Sequence, residues 1–165
     1  WRQKIYRNGL IGVNSEGIGF GNISKRIGKN SFLISGTNTG KHEVLSAKHF
    51  VKVTIWDIDK NFVECEGLCP PSSESLTHAA VYEKNSMVSS IIHIHNKLLW
   101  KKYKAVLSTT PDYAGYGTVE IAKEIKKLIP ENNFADNMVI LGGHKDGIVI
   151  FGKSLEETGK KVFEI

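Results

Sequence analysis

Two histidines one position apart, His93 and His95, are the residues whose type and spacing best suit metal chemistry. They close the run Ser89-Ser90-Ile91-Ile92-His93-Ile94-His95, which follows Met87 and Val88 and favours a strand. Successive side chains of a strand point to opposite faces. His93 and His95 therefore share one surface, with Ile92 and Ile94 on the other. Two imidazoles on a rigid strand are half of a zinc site. The pair suits the polar end of an ordinary strand equally well, and on its own does not choose between the two.

Other stretches carry weaker chemical signals. Gly17, Gly19 and Gly21 alternate just before a strand, where glycine permits close backbone approach or an unusual φ. Gly36-Thr37-Asn38-Thr39-Gly40 is dense in hydroxyls and open backbone N–H groups, a composition that suits phosphate and also any surface loop. His42 beside it reads as a surface residue. Pro70-Pro71-Ser72-Ser73-Glu74 opens a helix running to about residue 85, with Ser72 or Ser73 as N-cap. Glu74 then sits in the first turn, where the helix dipole favours a carboxylate. His78 lies four residues on, on the same side.

The elements that must hold these residues alternate in type. Residues 1–9 read as the end of a helix, with Trp1 and Ile5 on one face and Gly9 past its C-terminus. Strands are expected at 22–27, 31–35, 51–58 and 62–66, with turns at Gly28-Lys29-Asn30 and Asp59-Lys60-Asn61. Ser46 caps a short turn through Phe50. Beyond the histidine strand come a helix at 96–103, a short strand at Val106-Leu107 and a two-tyrosine loop at 109–118. A helix at 118–128 stops before Pro130. A strand at 138–141, the turn Gly142-Gly143-His144-Lys145-Asp146-Gly147, a strand at 148–151 and a helix capped by Ser154 complete the chain. Strands in both halves with helices between them predict an α/β or α+β class with a mixed sheet.

The 165 residues fit one domain, and a composition 41% hydrophobic and 24% charged is that of a soluble globular chain. The net charge of +5 is spread along the sequence. Lys101-Lys102-Tyr103-Lys104 and Lys126-Lys127 read as solvated helix faces, and without basic and aromatic interleaving no nucleic-acid partner is expected. A small anionic substrate fits the mild positive charge. Cys65 and Cys69 read as free thiols of a reducing cytoplasm, since no secretory signal is visible. No apolar run reaches membrane-span length. Trp1 stands first where Met is usual, so a few preceding residues are expected.

Six stretches occur in order: Gly21-Asn-Ile-Ser-Lys-Arg26, Ile34-Ser-Gly-Thr-Asn-Thr-Gly40, Pro71-Ser-Ser-Glu74 with His78, Ile92-His-Ile-His95, Tyr116-Gly-Thr-Val-Glu-Ile-Ala122 and Gly143-His-Lys-Asp-Gly147. Together they resemble the class II aldolase/adducin family from about residue 2 to the end. The resemblance implies a single domain over 1–165, an α/β fold built as a three-layer α/β/α sandwich around a mixed, mainly antiparallel sheet. It also implies a homotetramer with sites near subunit interfaces. It implies one divalent metal, usually zinc, with manganese, cobalt or iron as alternatives, held by His93, His95 and His144. Glu74 matches the family's acid/base. Asn22, Thr37, Ser72 and Ser73 match its phosphate-binding positions, with Ser35 and Gly36 in the same loop. Tyr113 and Tyr116 are candidates for its catalytic tyrosine.

The activity so implied is that of a zinc-dependent aldehyde-lyase, cleaving a small ketose or ketose phosphate by retro-aldol chemistry through a metal-bound enediolate. A sugar-phosphate dehydratase or epimerase on the same metal is the first alternative, and a non-catalytic binding module like the adducin head the second. That module predicts loss of the metal ligands, whereas all three histidines and Glu74 are present. The chemistry agrees: three neutral imidazoles with an open position suit catalytic zinc acting as a Lewis acid. A neighbouring carboxylate moves the proton, and serines at a helix N-terminus receive an anion. Two departures stand out. Asn96-Lys97-Leu98-Leu99-Trp100 replaces the small, hydroxyl-rich continuation of the sugar-phosphate aldolases. Thr37 is followed by Asn38 rather than glycine.

Overall fold

The computed structural model describes residues 1–131, 133–134 and 137–165. Helix α1 (Arg2–Arg7) ends where Gly9 takes φ +69°, and a two-stranded ribbon, β1 (Gly12–Val13) and β2 (Gly19–Phe20), follows. The meander comes next: β3 (Asn22–Gly28), β4 (Ser31–Ser35), β5 (Phe50–Asp57) and β6 (Phe62–Gly67). Helix α2 (Ser75–Lys84) leads to β7 (Ser90–His95) and α3 (Lys97–Tyr103). Helix α4 (Val119–Leu128), β8 (Met138–Ile140), β9 (Gly147–Gly152) and α5 (Leu155–Val162) complete the described elements.

Among the described residues the main sheet runs β6-β5-β4-β3-β7-β9-β8, with every strand pairing antiparallel. A parallel bridge between Thr109 and Ile140 makes it mixed. The alternation of each strand divides the core into two. Phe32, Ile34, Val51, Val53, Ile91, Val149 and Phe151 face α2 and α4. Ile23, Ile92, Ile94, Ile140, Ile148 and Ile150 face Ile5 of α1 and Val162 of α5, with Leu99 and Trp100 of α3 against them. The result is a three-layer α/β/α sandwich. Helix α2 is its most enclosed helix, with every residue from Ser75 to Tyr82 buried.

Two local expectations are corrected. Val106 and Leu107 form no strand: both amides donate to the Tyr103 carbonyl, and Val106 is exposed, so the pair closes a turn after α3. Glu74 is the N-cap residue of α2, not part of its first turn. The reason lies in Ser72, whose carbonyl accepts from Ser75 N (3.0 Å) and Ser75 Oγ (2.7 Å), forming a separate turn before the helix. Cys65 is in β6 opposite Val53, within the strand expected there, and both thiols are free.

Candidate metal centre

Strand β7 has Asn22 of β3 opposite His93 on one side, and Gly147 of β9 opposite His95 on the other. With Ile92 and Ile94 in the core toward α1, α3 and α5, the two histidines project toward α2. The turn between β8 and β9 brings His144 to them. Ring centroids are 4.9 Å apart for His93 and His95, 4.9 Å for His93 and His144, and 4.6 Å for His95 and His144. One candidate donor atom from each of the three lies within 4.8 Å of the others.

Glu74, at the start of α2, faces this group. Its Oε2 is 3.0 Å from His93 Nδ1 and its Oε1 is 2.9 Å from His144 Nδ1. These are close contacts without hydrogen-bond directionality, since both carboxylate oxygens are buried with no hydrogen-bond partner. His93 Nε2, His95 Nε2 and His144 Nδ1 are likewise buried and unpartnered. Buried polar atoms in proteins are nearly always satisfied. Three orphaned imidazole nitrogens beside an orphaned carboxylate therefore fit a divalent cation, and the nitrogen set suits zinc.

Burial pushes His95 down to about 2, and the neighbouring His93 and His144 add to the shift, so its ring is held neutral, the form a metal ligand needs. Burial alone raises the Glu74 carboxyl, but the facing His93 and His144 outweigh it and hold it well below the usual range. The ionised form of the buried Glu74 carboxylate is thus the favoured one.

The group forms one wall of a cavity of about 760 Å³. Of the residues singled out by sequence, Asn22, Gly36, Thr37, Ser72, Ser73, Glu74, His93, His95, Tyr116 and His144 all line it. Asn22 Nδ2 donates to Ser72 Oγ at 3.1 Å and lies 3.5 Å from His93 Nδ1. Ser72 Oγ also accepts from the Glu74 amide at 3.2 Å. The Tyr116 ring lies 5.0 Å from that of His144. Two candidates stand elsewhere. Ser35 Oγ is buried and accepts from the Ile23 amide at 3.2 Å. The Tyr113 hydroxyl donates to Glu124 Oε1 at 2.8 Å, outside the cavity, with the side chain 69% exposed.

The cavity also takes in Phe20, Asn38, Thr39, Lys97, Lys145 and Asp146, which sequence reasoning did not assign. Phe20 packs its ring 5.0 Å from that of His95. The alternating glycines were the available signal for that wall. Gly21 has φ +74°, and a Cβ there meets the His93 carbonyl oxygen at 2.9 Å, so only glycine lets the chain pass so close to the histidine strand.

Residues 5–100 match the family model described as Class II Aldolase and Adducin N-terminal domain. No sequence among the curated proteins matches the chain. Several solved structures share its fold. YgbL from Klebsiella pneumoniae, given as an aldolase, epimerase or decarboxylase, is 22% identical with TM-score 0.72 over 98% of this chain and 79% of its own. A sugar-phosphate aldolase from Thermotoga maritima is 19% identical with TM-score 0.67 over 98% and 87%. An L-fuculose 1-phosphate aldolase is 21% identical with TM-score 0.68 over 98% and 76%.

Proposed function

The chain belongs to the class II aldolase and adducin N-terminal domain family, and on that premise we propose that it is a divalent-metal-dependent aldehyde-lyase cleaving a small ketose or ketose phosphate by retro-aldol chemistry. One observation carries the reading: the ionised Glu74 carboxylate spans His93 and His144 inside a cavity large enough for a sugar phosphate. The fold is shared with an L-fuculose 1-phosphate aldolase and a sugar-phosphate aldolase, and equally with YgbL, so it supports this class of chemistry and the assay below chooses the reaction.

His93, His95 and His144 would hold the ion, zinc by donor type. When bound, it supplies a Lewis acid for the substrate's carbonyl end. The protein's own groups do the rest. As the C–C bond breaks, the substrate hydroxyl gives up a proton and the carbon next to the carbonyl gains one; Glu74, buried and ionised at rest, would take up that proton and return it to the carbon. Tyr116, at the edge of the same cavity, serves the hydroxyl that becomes the aldehyde, whereas Tyr113 is engaged by Glu124. Ser72 Oγ already accepts two hydrogen bonds, so its own proton is free to donate to a phosphate oxygen, with Asn22, Gly36, Thr37 and Ser73 around it.

The same proposal covers the assembly and setting. A single domain over 1–165 acts as a homotetramer in the cytoplasm, with exposed Leu98, Val106 and Tyr113 available to subunit contacts. No described helix is long and apolar enough to cross a membrane.

The test incubates zinc-loaded protein with L-fuculose 1-phosphate, other ketose 1-phosphates and the free ketoses, and follows dihydroxyacetone phosphate and aldehyde release. Metal-dependent cleavage of one of them is expected. Water loss or inversion at carbon without cleavage would replace the lyase by a dehydratase or epimerase. Inertness toward all of them in a metal-replete sample would favour the binding module.

A further inference from the structure

Behind the metal centre, helix α2 and strand β3 share a polar seam through an otherwise apolar layer. Glu74, His78 and Tyr82 recur every fourth residue and so line one side of the helix. Asn22, Ser24 and Arg26 recur every second residue along the facing side of β3. Four helical residues advance about 6 Å and two strand residues about 6.6 Å, so the two rows stay in step. The contacts follow that match. Asn22 reaches His93 and Ser72 at the Glu74 end. Ser24 Oγ is 2.7 Å from His78 Nδ1 and 2.8 Å from the Tyr82 hydroxyl. Arg26 closes the outer end, its Nη2 donating to the Tyr82 carbonyl at 2.7 Å and its guanidinium lying 4.7 Å over the Tyr82 ring.

Proton counting gives the seam a direction. Ser24 and Tyr82 have one hydroxyl proton each, and both side chains are buried. His78 is fully buried and its Nε2 has no partner. At the Glu74 end of the seam, Asn22 Oδ1 and both Glu74 oxygens are buried acceptors without a hydrogen-bond partner, beside the imidazole nitrogens of the metal group. If His78 donated from Nδ1, its Nε2 would be a bare, unpartnered acceptor, and one of the two hydroxyl protons of Ser24 and Tyr82 would lack a recipient. With Tyr82 donating to Ser24 and Ser24 to His78 Nδ1, both hydroxyl protons are used and the remaining ring proton stands on Nε2, which has no other partner, one helical turn from Glu74. Burial keeps the ring neutral, its pKa pushed down to about 3.

We propose that Tyr82, Ser24 and His78 form a one-way hydrogen-bond chain that fixes His78 as its Nε2–H tautomer and aims that proton at the Glu74 carboxylate, making His78 a positioning residue for Glu74. The functional half of this inference rests on Glu74 being the proton-moving group. The tautomer half does not.

Long-range nitrogen–proton NMR correlation on the full chain, metal-free and zinc-loaded, reads the tautomer directly. A protonated Nε2 and bare Nδ1 are expected in both. Ser24→Ala should yield a tautomer mixture, while Ser24→Thr, which keeps the hydroxyl, should restore one form. Glu74→Gln should move the Nε2–H resonance upfield as the charge-assisted partner is lost. An Nδ1–H tautomer in the native chain, or an Nε2–H resonance indifferent to Glu74→Gln, would overturn the proposal. On the panel substrate that is cleaved, His78→Leu should lower kcat by about 10- to 100-fold with KM nearly unchanged. His78→Gln, whose amide nitrogen can take the Nε2 place, should recover most of it. A cobalt-loaded His78→Leu sample should hold as much metal as the native chain, separating loss of positioning from loss of the centre. Unchanged kcat in His78→Leu would also refute the role. Should no sugar be cleaved at all, the lyase reading fails, and the NMR outcomes still decide the hydrogen-bond chain.

Discussion

Glu74 Oε1 lies 2.9 Å from His144 Nδ1, joining the entrance of helix α2 to the turn that precedes β9. A carboxylate held between two imidazoles can serve as a base only while it is ionised. Glu74→Gln keeps the shape and removes the charge. Turnover is expected to fall by about 10²- to 10⁴-fold, with metal content close to native by elemental analysis. Activity within a few-fold of native would remove Glu74 from the chemistry.

His93→Ala and His95→Ala should each reduce bound zinc to a small fraction of an equivalent. Ligand binding to the native state alone raises stability by mass action. Addition of zinc should therefore raise the melting temperature of the native chain and leave both variants nearly unmoved. An equal zinc response in all three would place the ion elsewhere.

The two tyrosines separate cleanly. Tyr113→Phe loses only a surface hydrogen bond to Glu124, and kcat should stay within about twofold, because exposed contacts of this kind contribute little. Tyr116→Phe should lower kcat at least about tenfold if its hydroxyl serves the departing aldehyde. Steady-state kinetics of the pair decides the assignment, and the reverse ranking would transfer the role to Tyr113.

Acid stability follows from the buried histidines. His78 is pushed down to about 3 and His95 to about 2 in the folded chain, against about 6.5 when unfolded. The unfolded state then binds more protons, so stability rises with pH. The contribution is complete above about pH 6.5 and is lost as pH falls toward the folded values. The slope is at most about 1.4 kcal/mol per pH unit for each ring. Glu74, held low by His93 and His144 against its own burial, acts in the same sense only below about pH 4.5. Urea unfolding of metal-free protein at pH 7 and pH 5 should differ by about 1–3 kcal/mol, and His78→Leu should reduce the difference. Equal midpoints at the two values would contradict it.

Gly21→Ala forces a side chain into the left-handed region at φ +74° and against Ile11 and the His93 carbonyl. The strain and overpacking together should destabilise by about 2–4 kcal/mol. Denaturant midpoints measure it. A loss under about 1 kcal/mol would mean that β2 and β3 shift apart without cost.

Local pattern made most of this structure legible. The Ile and His alternation of β7 identified which side chains share a face, because strand geometry alone decides it. Glu74 was placed one step inside its helix, since Ser72 spends its carbonyl on Ser75 in a way that no short-range preference announces. Ser35 and Tyr113 were grouped with the site by their neighbours in sequence. One hydroxyl instead turned inward to the Ile23 amide and the other outward to Glu124. Both choices depend on partners twelve and eleven residues distant, which composition cannot reveal.

Strand β7 is paired along both edges, by β3 and by β9. Amides held that way exchange with solvent only when a large part of a domain opens. The two histidines of this strand therefore sit in the slowest-exchanging stratum of the molecule. The Gly36–Gly40 loop and the two-tyrosine segment lie outside the strands of that sheet. The positions of the two histidines are thus tied to the opening of the sheet as a whole rather than to the motion of any one loop.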